Sequence, residues 1–192
     1  MAGRVAGKIK LQTVDELLGV PEIAGTQEIE LGRIHAFPNH PFKVLDDERM
    51  DMLVESIREN GILNPVIVRP DKNGDYEMIS GHRRLHAAGI VGLSKIPAIV
   101  KEMSDDEAII KMVDANIQRE EIMPSEKAFA YKMKLEAMKR TAGRPTKENA
   151  CHNGTHLRSD QELALQVGDS ARSIQRYVRL TELVPELLDY VD

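Results

Sequence analysis

The run Ile79-Ser80-Gly81-His82-Arg83-Arg84-Leu85-His86-Ala87-Ala88 constrains this chain more than any other stretch. A β-rich segment ends at a glycine, and a helix-forming segment opens at once with two arginines. Glycine supplies backbone freedom at such a join. The first N–H groups of the helix stay unpaired at the positive end of its dipole, so the join suits an anion. Two guanidinium forks beside it favour phosphate oxygens over a lone carboxylate. The same ten residues also suit a surface helix with two solvated arginines, and the rest of the chain must decide between these readings.

Along the chain, strands and helices alternate up to about residue 100 and helices follow alone. Residues 27–34 read as an edge strand. In residues 46–60 the apolar set Met50, Leu53, Val54 and Ile57 keeps helical spacing, and Gly61 supplies the stop. Residues 65–69 and 76–79 read as strands around the turn Asp71-Lys72-Asn73-Gly74-Asp75, and 96–100 as a further strand. Ser104-x-x-Glu107 is a capping box opening a helix to about Ile117, Pro124-Ser125 opens another, and Ser159-x-x-Glu162 reads as a second box. This layout predicts an α/β domain at 27–103, connecting helices at 104–140, a Gly/Pro/Asn-rich linker at 141–158 and a helical unit at 159–192. Residues 1–26 read as a flexible arm, basic through Arg4, Lys8 and Lys10, with a short helix at 13–20.

Composition narrows the function classes. Aromatic residues make up 4% of the chain and tryptophan is absent, so an aliphatic core of Leu, Ile, Val and Met is expected. One cysteine, Cys151, rules out an internal disulfide and fits a reducing cytoplasm. No apolar run is long enough to cross a bilayer, so no membrane partner is expected. The net charge of −5 argues against a protein that coats nucleic acid with its whole surface, though not against a local basic face.

Such a face lies near the end. Residues 160–167 read as a helix with Leu163, Ala164 and Val167 inward. Gly168-Asp169-Ser170 is a tight turn, and 171–180 a second helix with Ile174, Tyr177 and Val178 inward. That is the helix-turn-helix pattern. Ser170, Arg172, Ser173, Gln175 and Arg176 then fall on the exposed face or the N-terminal half of the second helix. Arginine forks onto guanine, glutamine onto adenine, and serine holds phosphate. Residues 140–180 carry seven Lys/Arg against four acids in an otherwise acidic chain, as a local double-stranded DNA interface requires. An ordinary αα-hairpin is the competing reading.

Three segments in one order resemble the ParB-type (ParB/Noc-like) partition proteins. Gly61-Ile62-Leu63-Asn64-Pro65-Val66-Ile67-Val68-Arg69 resembles their "GILQPLIVR" strand entry. Ser80-Gly81-His82-Arg83-Arg84 resembles the "GERR" box, and Asn116-Ile117-Gln118-Arg119-Glu120 the tail of "ENLQRE". The resemblance implies a ParB/sulfiredoxin-like α/β N-terminal domain followed by an all-helical helix-turn-helix domain. It also implies CTP and Mg²⁺ as cofactors, and a homodimer that closes as a clamp on a centromere-like DNA site. Gly81, His82, Arg83 and Arg84 would lie by the triphosphate, and the 64–69 segment near the base. Asn116 would face phosphates and metal, with Gln118 and Arg119 completing that wall. The arm could touch a ParA-like ATPase, and a cytoplasmic, nucleoid- or plasmid-associated location is expected. Family members continue into further DNA-binding helices and a dimerisation domain, so a truncated chain or a short relative is expected.

Departures from the family pattern are specific. The "NPxQPR" box appears as Phe37-Pro38-Asn39-His40-Pro41-Phe42, keeping prolines but losing Asn, Gln and Arg. His82 and Ala115 stand where the family has acidic residues, with Asp114 adjacent to the second. Neither His nor Ala orients a water or holds Mg²⁺ as a carboxylate does, so CTP hydrolysis is expected to be weak or absent. In sulfiredoxin the phosphate loop reads Gly-Cys-His-Arg; Gly81 occupies the cysteine position here, which removes the thiol chemistry. The rival reading is a helix-turn-helix transcriptional regulator of a plasmid or mobile element that ignores nucleotides.

Overall fold

The computed structural model describes residues 25–117, 122–141, 158–188 and 190–192. Most of the expected arm and its short helix, most of the 141–158 linker, and Gln118 and Arg119 lie outside them. Five strands form one sheet in the order β1-β5-β3-β4-β2: β1 Thr26–Glu30, β2 Ile34–His35, β3 Val66–Pro70, β4 Tyr76–Ser80 and β5 Lys95–Val100. Its outer strands are β1 and β2, consecutive in the chain. Laid flat, the sheet would hold them about 19 Å apart. The 3-10 turn Leu31–Arg33 that joins them spans at most about 14 Å even fully extended. The sheet therefore curls toward a half-barrel. This also corrects the continuous edge strand expected over 27–34: it is an edge, but Leu31-Gly32-Arg33 breaks it, and its halves pair with β5 and β4 at opposite borders. The turn is pinned where Leu31 N–H donates to Ser94 O at 2.9 Å.

The helices start and stop where local chemistry dictates. The helix α1, Glu48–Asn60, is capped by Asp47, whose carboxylate accepts from Met50 N–H at 2.8 Å, and it ends at Gly61. It packs against α2, His82–Val91, through Met50, Val54, Ile57 and Ala87. On β3, Val66 and Val68 are fully buried with Met78, Ile96 and Ala98, each large side chain contributing about 1.5–3 kcal/mol. On β4, Ile79 turns the other way and meets Ala108, Met112 and Val113 of α3, Asp105–Ile117. The predicted capping box at its start is present: Ser104 N–H donates to Glu107 at 2.8 Å, and Glu107 N–H to Ser104 Oγ at 3.3 Å. The buried set is mostly Ile, Val, Met and Ala, as composition suggested, but Phe37, Phe42 and Tyr131 are buried as well.

The helical half is arranged on α4, Pro124–Thr141. Two shorter helices, α5 Ser159–Val167 and α6 Ala171–Leu180, lean on it, and a single turn, α7 Pro185–Leu188, follows. Tyr131 and Leu135 of α4 meet Leu163 and Ile174, with Ala164, Val167, Tyr177 and Val178 partly buried around them. These are the inward residues expected from spacing. The second capping box is displaced by one position. Ser159 is already helical, Arg158 is the cap residue, and Gln161 reaches back to accept from Arg158 N–H at 3.2 Å. Arginine has no side-chain acceptor, so only half of a box forms.

Candidate nucleotide groove and nucleic-acid interface

Gly81 sits between β4 and α2 with φ +116 and ψ 22. A Cβ there would lie 2.6 Å from Val66 Cγ1, so both the backbone angle and the close approach of β3 require glycine. Arg84, one turn on, donates through Nη1 to Pro65 O at 2.9 Å and also to Asn64 O. Burial holds this guanidinium below its ordinary pKa, although it stays charged. Arg84 thus fastens the entry of β3 to the start of α2. It points at backbone carbonyls, not into bulk solvent.

Arg83 points elsewhere. Its Nη2 donates to Asp47 Oδ1 at 3.1 Å, the same oxygen that caps α1. Arg83 and Asp47 line a groove of about 560 Å³, joined by Lys43, Arg49, and Ile122, Met123, Pro124 and Glu126 at and just before the start of α4. Two carboxylates in that groove are already committed to backbone donors. Glu126 accepts from Lys43 N–H at 2.7 Å, and Asp192 accepts from Ser125 N–H at 2.9 Å. The groove therefore offers cationic side chains above capped acids.

The other expected residues divide. His82 stacks on His40 with ring centroids 3.8 Å apart, and it lines a separate, mainly apolar hollow with Ala36, Val44 and Leu85. His40 comes from the altered proline box, and its Nδ1–H donates to Phe42 O at 2.7 Å, since a carbonyl only accepts. Asn116 is buried near the end of α3, and its Nδ2–H donates to Met112 O at 2.8 Å. Asp114, the neighbour of Ala115, ion-pairs with Lys134 of α4. Arg69 forms a cross-strand pair with Glu77 and reaches Asp105 at 2.7 Å. Burial lowers its pKa and those two carboxylates raise it by more, so it sits above its ordinary value. Lys43, Asp47 and Arg49 escaped the sequence reading, because nothing local marks them; only the packing of α1 on α2 and the bond from Lys43 N–H to Glu126 at the start of α4 gather them.

The helix-turn-helix forms as the spacing predicts. Gly168 ends α5 at φ +78, and Ser170 caps α6 by accepting from Ser173 N–H at 3.0 Å. Ser170 Oγ also lies 2.9 Å from Ser173 Oγ. Tyr131 of α4 donates its hydroxyl to Asp169, fixing the turn from below. With Ile174 buried, Arg172, Gln175, Arg176 and Arg179 are exposed along the outer face of α6. Gln175 also turns sideways, its Nε2 donating to Asp160 at 2.6 Å. Arg179, together with Arg158 and Lys139, was not among the expected contacts; its i+3 spacing from Arg176 was the available signal.

The chain resembles known proteins in sequence and in fold. The family model for the ParB N-terminal domain matches residues 15–117. The chromosome-partitioning protein Spo0J of Thermus thermophilus is 34% identical over 169 residues, covering 88% of this chain and 55% of the relative. A nucleoid occlusion protein of Listeria monocytogenes is 31% identical over 184 residues, covering 94% and 57%. The chain spans about half the length of these relatives. Among solved structures, a C-terminally truncated ParB from Caulobacter crescentus, complexed to its centromeric parS site, shares the fold. Its TM-score is 0.53 at 24% identity, over 86% of this chain and 76% of that one. A pNOB8-like ParB N-domain gives 0.56 at 15%, over 86% and 72%. With the family model matching more than half its residues, this chain belongs to the ParB family.

Proposed function

We propose that the protein is a DNA-partition protein that acts as a CTP-dependent clamp, reading a centromere-like duplex with α6. One observation carries this reading: a single helix serves both ends. Pro124 and Glu126 at the start of α4 border the Arg83 groove, while Tyr131, Lys134 and Leu135 further along it seat the helix-turn-helix. A ligand that shifts the first turn of α4 therefore acts on the helices that meet DNA. The relatives named for chromosome partitioning and nucleoid occlusion support the same role.

In this reading Arg83, with Lys43 and Arg49 nearby, takes phosphate oxygens of the triphosphate. The residues fit such a tail: the groove is rimmed by the cations Lys43, Arg49 and Arg83, and its acids Glu126, Asp192 and Asp47 already hold donors. Gly81 and Arg84 act by holding the loop and His82 by packing it, and the family pattern adds Gln118 and Arg119 to the nucleotide-binding set. Mg²⁺ would be held largely by phosphate oxygens and water, as that ion prefers, with the Asn116 amide oxygen assigned to it on the family pattern. Two chains close around the duplex in the dimer, and the arm meets a ParA-like ATPase. Asn116 bound to its own helix and His82 packed on His40 favour a second reading, a DNA reader indifferent to nucleotide.

The DNA half is tested by fluorescence anisotropy with a parS-type duplex and a scrambled one. Arg172→Ala or Arg176→Ala should cost about 1–3 kcal/mol on the specific duplex if the side chain reads a base. Unchanged discrimination in both variants would remove α6 from base reading.

A further inference from the structure

We infer that a second anion site, built where α4 and α5 meet the last turn of the recognition helix α6, grips a backbone phosphate of the DNA. The inference rests on the DNA reading above. Lys139 from the end of α4, Arg158 and Ser159 from the start of α5, and Arg179 from the last turn of α6 line one concavity of about 570 Å³. These residues are far apart in sequence and meet only in the fold. All three cations are exposed. Among the described residues neither Lys139 nor Arg179 has a carboxylate partner, whereas Arg140 next door is paired with Asp106 at 2.7 Å.

The one acid in the hollow is already satisfied. Asp160 is buried and accepts from Arg158 at 3.0 Å, from Gln175 at 2.6 Å and from Gln161 N–H at 3.1 Å. It holds Arg158 in place and leaves the remaining N–H donors of that guanidinium facing solvent. The site is thus a cationic hollow, organised from below by a carboxylate whose charge is spent.

Position identifies the phosphate as that of a duplex. Arg172 to Arg179 spans about 10 Å along α6, at 1.5 Å per residue. The major groove is about 12 Å wide, so a helix that places its first turn against base edges brings its last turn to the level of the strand. Arg172 and Arg176 then meet bases while Arg179, Lys139 and Arg158 meet the backbone. A phosphate contact adds affinity without sequence preference.

The test measures dissociation constants for a parS-type and a scrambled duplex over a series of NaCl concentrations. Wild type is compared with Lys139→Gln and Arg179→Gln, exposed substitutions whose folding is verified by melting. The expected result is weaker binding of both duplexes by the same factor. The slope of log K against log salt should also fall by about 0.9 for each cation removed. A loss confined to the parS-type duplex would make these base readers and overturn the site, as would an unchanged slope. Saturable binding of inorganic phosphate abolished by these substitutions, with the DNA slope unaltered, would assign the hollow to a small anion instead. Wild type that binds neither duplex defeats the DNA reading itself, and the site with it.

Discussion

Lys134 of α4 reaches Asp114 of α3 from a position closed to solvent, while the aspartate remains half exposed. The same ammonium also donates to Gln166 of α5 at 2.6 Å. One buried lysine therefore ties α3 to α5, the first helix of the helix-turn-helix.

The energetics of this tie separate two substitutions. Lys134→Met keeps the apolar stem, and Asp114 can rehydrate, so stability should fall by only about 1–2 kcal/mol. Lys134→Glu buries a charge beside a like charge and should cost roughly 3 kcal/mol or more. Urea unfolding reads both; equal midpoints for the two variants would show that the pair has no energetic weight.

Tyr131 gives a pH signature. Burial, then the hydroxyl bond to Asp169, raises its pKa above the ordinary value of about 10. A group whose folded pKa is raised adds stability that is complete below its unfolded pKa and lost as pH climbs toward the folded one. Stability should thus decline above pH 10, once the unfolded chain ionises this phenol. Tyr131→Phe should cost about 1–3 kcal/mol at neutral pH for the charged-acceptor bond it removes, and should flatten the alkaline decline. An alkaline limb identical to wild type in the phenylalanine variant would rule out this linkage.

Gly81→Ala tests the strand–helix join. The left-handed backbone and the contact with Val66 should together cost roughly 2 kcal/mol or more, seen as a lower melting temperature. Gly74→Ala has an open neighbourhood but also a positive φ, so it controls for backbone strain alone. The two costs should differ by the steric contact; if they match, Val66 does not constrain the loop.

Turnover follows from what stands at two positions. His82 is packed against His40, and Ala115 has no carboxylate. Released phosphate from CTP should be slow or undetectable, and His82→Glu should raise it if that position orients water. Fast release by the unaltered protein would contradict this.

Much of the fold was legible because its signals are local. The Met50-Val54-Ile57 stripe, the Ser104/Glu107 box and the Gly168 turn each depend on neighbours within a few residues, and each formed. The break at Leu31-Gly32-Arg33 was not legible, because curling of the whole sheet imposes it. For the site, the sequence marked Gly81, Arg83 and Arg84 as one anion-facing group. It did not distinguish Arg83, turned to the groove, from Arg84, turned to the Asn64 and Pro65 carbonyls. Those acceptors lie in the turn that leads into β3, about twenty residues away. The convergence of Arg158, Lys139 and Arg179 was hidden for the same reason: three helices must pack before they meet.

The most direct test is calorimetric titration of CTP into wild type and Arg83→Ala, each with and without a parS-type duplex. The account predicts saturable binding by wild type, tightened by the duplex, and at least a tenfold loss in the variant, equivalent to about 1.4 kcal/mol or more. Absence of binding by wild type, or equal affinity in Arg83→Ala, would contradict it.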